Sequence, residues 1–460
     1  MTLIKSISGI RGTIGGKPGN NLTPLDALKF SAAFGRLLVE QSGKPRPTVV
    51  LGRDARPSGP MISRAVVAGL TGMGVNVIDL GLSTTPSVEM AVTGLQADGG
   101  IILTASHNPV QWNALKLLDR NGEFISAGQG RRLLELAQAQ EMNFSPVDGL
   151  GTCRTHPGGY IDEHISAILV LDTVNVDAIR SRGFRVSIDA VNSTGGLAVP
   201  KLLDALGVEY HCLYCLPNGR FPHNPEPLEK HLADLMHGVP ALDDDLGIAV
   251  DPDVDRLALV DEQGRMFGEE YTLVAVADYI LQKTPGPTVS NLSSSRALRD
   301  LTLKYGQSYS ASAVGEVNVV ARMKETGAVI GGEGNGGVIY PTLHYGRDAL
   351  VGIALLLSHL AESGKTLSQL KKTYPQYAMA KEKMHIEGIE PDKVLEKFAR
   401  IHAGARIDTT DGVKADYPDH WIHLRRSNTE PIVRIYVEAP TAEQARSIAL
   451  QTIEQLQNPD

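Results

Sequence analysis

Three times along the chain the same order of segments returns: an apolar run, a polar loop, an amphipathic stretch, a glycine and a second apolar run. The first copy runs from Thr48 to Asp54, then Pro60 to Met73, Gly74, and Val75 to Asp79. The second is Val186 to Ala190, the loop Asn192-Ser193-Thr194-Gly195, then about Gly196 to Leu206, Gly207, and Val208 to Cys212. The third is Thr288 to Ser295, about Arg296 to Tyr305, Gly306, and Ser308 to Ala311. Short apolar runs bounded by turn residues read as buried strands, and the stretch between them as a helix closed by glycine. A strand–helix–strand unit sets its two strands parallel in one sheet. Three such units predict three related α/β/α domains with mainly parallel sheets.

The pattern changes near the C-terminus. Met379 to Glu387, Trp421 to Arg425 and Ile432 to Glu438 read as strands, the last alternating like a half-buried one. Pro391 to Ala403 and Thr441 to Leu456 read as helices, so this part is a C-terminal α+β domain. The expected domains are 1–150, 151–256, 257–372 and 373–460. A hydrophobic content of 42% over 460 residues fills several cores, and a net charge of −8 leaves no general basic surface for nucleic acid. Three cysteines (Cys153, Cys212 and Cys215) argue against a disulfide framework. Cys212-Leu213-Tyr214-Cys215 has redox spacing but ends a strand-like run, with no helix signal after it. No signal-peptide core or long apolar run appears, so the expectation is a cytoplasmic protein that acts on small molecules, away from membranes.

Four strand ends carry chemistry. Gly99 to Leu103 leads into Thr104-Ala105-Ser106-His107-Asn108-Pro109, a turn presenting a serine beside a histidine where ligands of α/β sheets bind. Leu246 to Val250 leads into Asp251-Pro252-Asp253-Val254-Asp255-Arg256. Alternate carboxylates in an extended loop converge on one point, and hard oxygen ligands in that number suit magnesium. The acidic run Asp243-Asp244-Asp245 just upstream reads as solvated surface. Ala328 to Ile330 leads into Gly331-Gly332-Glu333-Gly334-Asn335-Gly336-Gly337, where glycines let a ligand approach and Glu333 offers two acceptors to sugar hydroxyls. Finally, Arg425-Arg426-Ser427-Asn428-Thr429-Glu430-Pro431, with Arg434 beyond, has the makings of a phosphate nest. Each stretch has a plain alternative as a turn, an acidic surface or a basic hairpin. Together they require a phosphorylated, hydroxyl-rich small molecule.

In this order and over nearly the whole chain, the four motifs resemble those of the α-D-phosphohexomutase family. Its members include phosphoglucomutase, phosphomannomutase and phosphoglucosamine mutase. The resemblance implies four domains around a central cleft. It implies that Ser106 carries a phosphoryl group and exchanges it with a hexose 1- or 6-phosphate through a hexose 1,6-bisphosphate, which also serves as activator. One Mg2+ would be held by Ser106, Asp251, Asp253 and Asp255. Arg11, Lys116 and Arg256 would add positive charge, with His107, Lys116 and Glu316 as candidate bases. Glu333 and Asn335 would hold the sugar, and Arg426, Ser427, Asn428, Thr429 and Arg434 the distal phosphate.

The chain departs from the family pattern at three places. Asn113-Ala114-Leu115-Lys116 has alanine where the family has glycine in a turn. Asn335 and Gly337 stand for the serine and histidine of the sugar loop, and Asn428 for a glycine of the phosphate loop. Glucosamine phosphate is the leading substrate, with mannose and glucose phosphates as the alternative. Two other classes fit part of the pattern. One is a magnesium-dependent phosphatase acting through Asp251 and Asp253, as in haloacid-dehalogenase-like enzymes. The other is a non-catalytic sugar-phosphate-binding protein.

Overall fold

The computed structural model describes residues 2–6, 9–138, 143–386, 390–426 and 432–457. They form two compact units, Met1–Thr272 with Gly336–Ser368, and Leu273–Asn335 with Gln369–Asp460.

The first unit holds two sheets. The larger has seven strands in the spatial order Ile4–Ser6, Gly9–Thr13, Trp112–Leu118, Gly99–Leu103, Thr48–Arg53, Asn76–Leu82 and Cys153–Thr155. Its last four strands are mutually parallel, and the first three run antiparallel. All five residues of Gly99–Leu103 are buried, as expected of a strand covered on both faces. The helix Pro24–Ser42 covers one face. It starts where Thr23 and Asp26 form a reciprocal capping box, with Pro24 at its first turn.

Two local expectations change here. Asn113 to Lys116 is not a turn: it lies inside the strand Trp112–Leu118, where Ala114 stands opposite Arg11. A strand asks for no left-handed backbone, so alanine in place of glycine costs nothing there. The sheet also takes Cys153–Thr155 onto its far edge, past residue 150.

The second sheet runs Leu257–Asp261, Leu246–Val250, Arg185–Asp189 and Glu209–Leu213. The last three are parallel, and Leu257–Asp261 returns antiparallel beside Leu246–Val250, so this sheet continues beyond residue 256. Asp243-Asp244-Asp245 is solvated only at its first member. Asp244 is buried, accepts from the Ser187 hydroxyl at 2.6 Å and faces His211 Nδ1 at 3.0 Å. Asp245 accepts from Arg185 N at 2.9 Å. An acidic run at the mouth of a parallel strand finds donors on the neighbouring strand, a contact that residue spacing does not reveal.

In the second unit, Thr288–Asn291 pairs in parallel with Tyr309–Ser312 and Ile330–Glu333. A five-stranded antiparallel sheet follows, in the order Ala378–His385, Ile432–Ala439, Trp421–Arg426, Val413–Asp416 and Arg406–Asp408. Helices Pro391–Ile401 and Ala442–Gln457 contribute Phe398, Ala445 and Ala449 to the core over that sheet. The three cysteines are free. Among the described residues no helix is long and apolar enough to cross a membrane.

Candidate active site

Ser106 stands just past the end of Gly99–Leu103 with φ = 48°, a left-handed backbone that a serine adopts only when its surroundings hold it. The source of that hold is Arg56, a fully buried residue that the sequence reading did not single out. Its Nη2 donates to the carbonyls of Ser106 and Asn108, both at 2.6 Å. Its Nη1 donates to those of Pro109 at 2.6 Å and Trp112 at 3.1 Å. Asp54 aligns the guanidinium through Nε at 2.9 Å and also accepts from the Thr104 hydroxyl at 2.7 Å. Thr104 Oγ1 in turn accepts from Ser106 N at 2.9 Å. Arg56 follows the apolar run of the first repeat by only a few residues, a position that could have marked it, although its partners could not be guessed.

The acidic loop meets this turn. Ser106 Oγ donates to Asp251 Oδ2 at 2.6 Å, and Asp251 Oδ1 accepts from the backbone N–H groups of Asp255 and Arg256, both at 3.2 Å. Val254 has φ = 63°, an outlier for a β-branched residue, and the loop around it is tied on both sides. Ala349 N donates to the Val254 carbonyl at 3.1 Å, Thr85 N to that of Asp253 at 2.8 Å, and the hydroxyls of Ser193 and Thr194 to that of Pro252. Asp251, Asp253 and Asp255 are fully buried and offer oxygens within 4.8 Å of one another.

Three cations lie close to the triad. Lys116 Nζ lies 2.7 Å from Asp253 Oδ2 and 3.5 Å from Asp255 Oδ2, and Arg347 Nη2 lies 2.6 Å from the same Asp255 oxygen. Arg256 Nε is 4.0 Å from Asp255 Oδ1. Arg347 is a second residue that sequence reading missed, since it comes from the loop before the helix Ala349–Ser363. Asp253 Oδ1 and Asp255 Oδ1 are buried and accept no hydrogen bond. Bare buried carboxylate oxygens are costly, and a hard divalent cation is the group that would satisfy them. The residues present therefore fit magnesium.

The titration behaviour follows from this crowding. Burial, then the charges of Asp255 and Asp253, push Asp251 well above the ordinary carboxylate range. Burial acts the same way on Asp253, but the Lys116 ammonium and bonds from Lys116 and Thr85 outweigh it and hold that group low. Burial would lower Lys116, yet Asp253 and Asp255 keep its ammonium protonated beyond the usual lysine range. His107, with Nδ1 3.4 Å from Ser106 Oγ, is driven well below its ordinary value by burial and then by Arg256, so it is neutral.

Other predicted residues stand elsewhere. Arg11 lies on Gly9–Thr13 with an exposed side chain. In the second unit, Glu333 is buried at the end of Ile330–Glu333, and its Oε1 accepts from Asn291 Nδ2 at 2.9 Å and Gly315 N at 3.1 Å. Asn335 Nδ2 is 3.5 Å from Glu333 Oε2. Glu316 is buried at the start of the helix Glu316–Thr326. Arg426 ends its strand, exposed, with Nη1 3.7 Å from Asp392. Ser427, Asn428 and Thr429 lie outside the described residues. Arg434 stands directly opposite Arg425 on one neighbouring strand and Lys383 on the other. Like charges in register across three strands repel; Asp411, 2.8 Å from Arg425 Nε, offsets part of that repulsion, and Lys383 was not foreseen.

A second group of metal-ligating residue types, also unforeseen, lies in the first unit. His164 Nε2 is 2.8 Å and His344 Nε2 3.3 Å from Asp348 Oδ2. His164 Nδ1 is 3.1 Å from Ser87 Oγ, and His344 Nδ1 is 3.4 Å from Glu89 Oε2. Asp348 Oδ1 caps the helix Ala349–Ser363 through Leu350 N and Val351 N.

The family models for the phosphoglucomutase/phosphomannomutase domains match the chain in order. The three alpha/beta/alpha domains cover residues 3–143, 160–264 and 268–377, and the C-terminal domain covers 380–455. A phosphoglucomutase/phosphomannomutase of Thermococcus kodakarensis is 38% identical over 441 residues, 95% of each chain. A probable phosphoglucosamine mutase of Methanopyrus kandleri is 34% identical over 449 residues, 96% of this chain and 95% of that one. The crystal structure of a phosphoglucomutase/phosphomannomutase family protein from Burkholderia thailandensis matches with a TM-score of 0.84 at 27% identity, over 98% of each chain. The chain belongs to the phosphoglucomutase/phosphomannomutase family.

Proposed function

We propose that this chain is a phosphohexomutase, an isomerase that interconverts hexose 6-phosphate and hexose 1-phosphate through a phosphorylated Ser106. The observation that carries the reading is the bond from Ser106 Oγ to a triad of buried aspartates with two bare oxygens. Ser106 would carry the phosphoryl group. A sugar hydroxyl attacks the phosphorus, the bond to Ser106 Oγ breaks, and a hexose 1,6-bisphosphate results. Return of the other phosphoryl group to Ser106 regenerates the enzyme.

The attacking hydroxyl must lose its proton. Neutral His107 is suited to take it, whereas Lys116, protonated between two carboxylates, is suited to act as a fixed cation. Asp251, Asp253, Asp255 and Ser106 would hold magnesium, which supplies charge neutralisation to phosphoryl transfer. Arg256 and Arg347 add cationic charge beside the same carboxylates.

Glu333, with Asn335 beside it, would accept from neighbouring sugar hydroxyls. The row Lys383, Arg434 and Arg425, with Arg426 and the hydroxyls of Ser427 and Thr429, would receive the distal phosphate, whose binding orients the reacting end. Glucosamine phosphate is the leading substrate, in line with the probable phosphoglucosamine mutase among the relatives, and mannose and glucose phosphates are the alternative, in line with the phosphoglucomutase/phosphomannomutase.

Intact-mass measurement of wild type and Ser106→Ala tests the reading. One phosphate is expected on the wild type alone, and mutase activity should fall by more than about a thousandfold in the variant. Unchanged mutase activity in Ser106→Ala would sink it. Side-by-side kcat/KM values for the 6-phosphates of glucosamine, mannose and glucose, with magnesium and catalytic hexose 1,6-bisphosphate, rank the substrates.

A further inference from the structure

The second unit contains a cavity of about 740 Å3 that none of the residues assigned above explains. It is walled by the helices Arg296–Lys304 and Glu316–Thr326, the strand Tyr309–Ser312 and the strand Arg406–Asp408. Each of these two strands is the outer strand of its sheet. In the parallel ladder with Thr288–Asn291, Thr288 N bonds to the Ser308 carbonyl and Leu292 N to that of Ser312. The alternate residues Tyr309 and Ala311 therefore turn their N–H and C=O groups outward, at the edge that lines the cavity.

The charge on the walls is positive in a chain whose net charge is −8. Arg296, Arg299, Arg322, Arg406 and Lys414 face only three carboxylates there. Arg296 and Arg299 are occupied by Asp416 at 2.8 and 2.9 Å. Arg322 and Arg406 are not committed in this way. Arg322 meets only an exposed Glu325 at 3.1 Å and a long contact to Ser310 Oγ at 3.4 Å, and its buried Nε has no hydrogen-bond partner. Arg406 is exposed, its charge acts on Asp408 of the same wall, and it has no ion pair within 4 Å among the described residues.

We propose that this cavity is a binding site for a phosphate-bearing small molecule, held by the guanidinium groups of Arg322 and Arg406 and by the outward N–H groups of Tyr309 and Ala311. Its volume falls in the range of metabolite pockets, and planar guanidinium forks with backbone amides are the donor set that phosphate oxygens select. Lys414 supports the assignment. Burial holds its ammonium down to about 8, so an anion beside it would restore the charge and take up a proton. The cavity wall also touches the sugar loop. Ser294, which lines it, accepts from Gly334 N at 2.9 Å and donates to Asn291 Oδ1 at 3.1 Å, and Asn291 holds Glu333.

The test is calorimetric titration of the metal-free chain at pH 8 with inorganic pyrophosphate, in two buffers of different ionisation enthalpy. A saturating hexose 1,6-bisphosphate is present to occupy the active site. The wild type should bind one pyrophosphate with proton uptake, and malonate should bind at least about tenfold more weakly. Arg322→Ala/Arg406→Ala, with both substitutions on partly or fully exposed side chains, should lose at least about tenfold in pyrophosphate affinity and keep full mutase activity. Equal affinity in the double variant, equal binding of malonate, or no pyrophosphate bound either with or without the bisphosphate would each overturn the proposal.

Discussion

The first unit contains two knots of buried acid that look alike on paper and are not. Asp251, Asp253 and Asp255 bring three oxygens within 4.8 Å of one another, and so do the ligand atoms of His164, His344 and Asp348. In the first knot two oxygens, Asp253 Oδ1 and Asp255 Oδ1, accept no hydrogen bond. In the second, His164 and Asp348 are hydrogen-bonded at every ligand atom, and His344 meets Asp348 and Glu89 at ion-pair distance. Asp348 spends one oxygen on two histidines and the other on a helix start, and each histidine has a second partner on its far nitrogen. Convergence of ligand types does not define a metal site. The deciding quantity is whether the protein already satisfies the atoms that converge. On that measure the aspartate triad fits a cation, and the histidine pair ties the segment from His344 to the helix Ala349–Ser363 in place.

The sharpest way to break this contrast is a pair of near-isosteric changes. Asp251→Asn should lower kcat/KM by at least about a thousandfold and remove the rise in Tm that magnesium gives to the wild type. His164→Asn should leave kcat/KM within about threefold of wild type once the folded fraction is counted.

Stability should order the two the other way. Removing His164 as alanine leaves Asp348 short of one buried partner and should cost about 2–3 kcal/mol in urea unfolding. Asp251→Asn in metal-free protein should be neutral or stabilising by up to about 1 kcal/mol, because the wild-type carboxyl is costly to ionise there. A strongly destabilised Asp251→Asn with a silent His164→Ala would reverse the comparison.

The pH dependence gives a smaller effect of defined sign. Asp251 has its folded pKa raised, so its contribution to the metal-free protein is intact below the unfolded value and lost as pH rises through the folded one. Asp348 runs the opposite way. Burial would raise it, but His164 and then His344 outweigh burial and hold it below the model-compound value of 3.8, so its contribution is present at neutral pH and lost in acid. Magnesium competes with the Asp251 proton. The magnesium-induced rise in Tm should therefore grow from about pH 5 to pH 8, and a rise independent of pH would place the ion elsewhere. The smallest expected effect is none at all: in Asp251→Asn, zinc should shift Tm by no more than about 1 °C. A clear zinc-dependent rise there would show the histidine pair to be an open site after all.

Much of this was legible in the chain because it rests on local pattern. The strands Gly99–Leu103 and Leu246–Val250, the helix start at Thr23-Pro24 and the loops after them follow from apolar runs, caps and turn residues. Ser106 and the three aspartates came from chemistry concentrated within six residues. What escaped was long-range. Arg56 acts on carbonyls about fifty residues ahead, Arg347 on an aspartate ninety-two residues behind, and Lys383 meets Arg434 only through strand register. A charged residue alone in a sequence window carries no sign of the atom it will reach. Asp244 shows the converse, since three aspartates in a row look solvated until a neighbouring strand supplies a hydroxyl.

Arg56 has a consequence for what the Ser106 turn can tolerate. Peptide units are dipoles, and four of those around the turn have their negative ends drawn onto one buried guanidinium behind it. The phosphoryl group proposed for Ser106 would meet a turn whose carbonyls at Ser106, Asn108, Pro109 and Trp112 are already drawn onto a cation. Arg56 would thus polarise the turn for that charge before a metal ion binds.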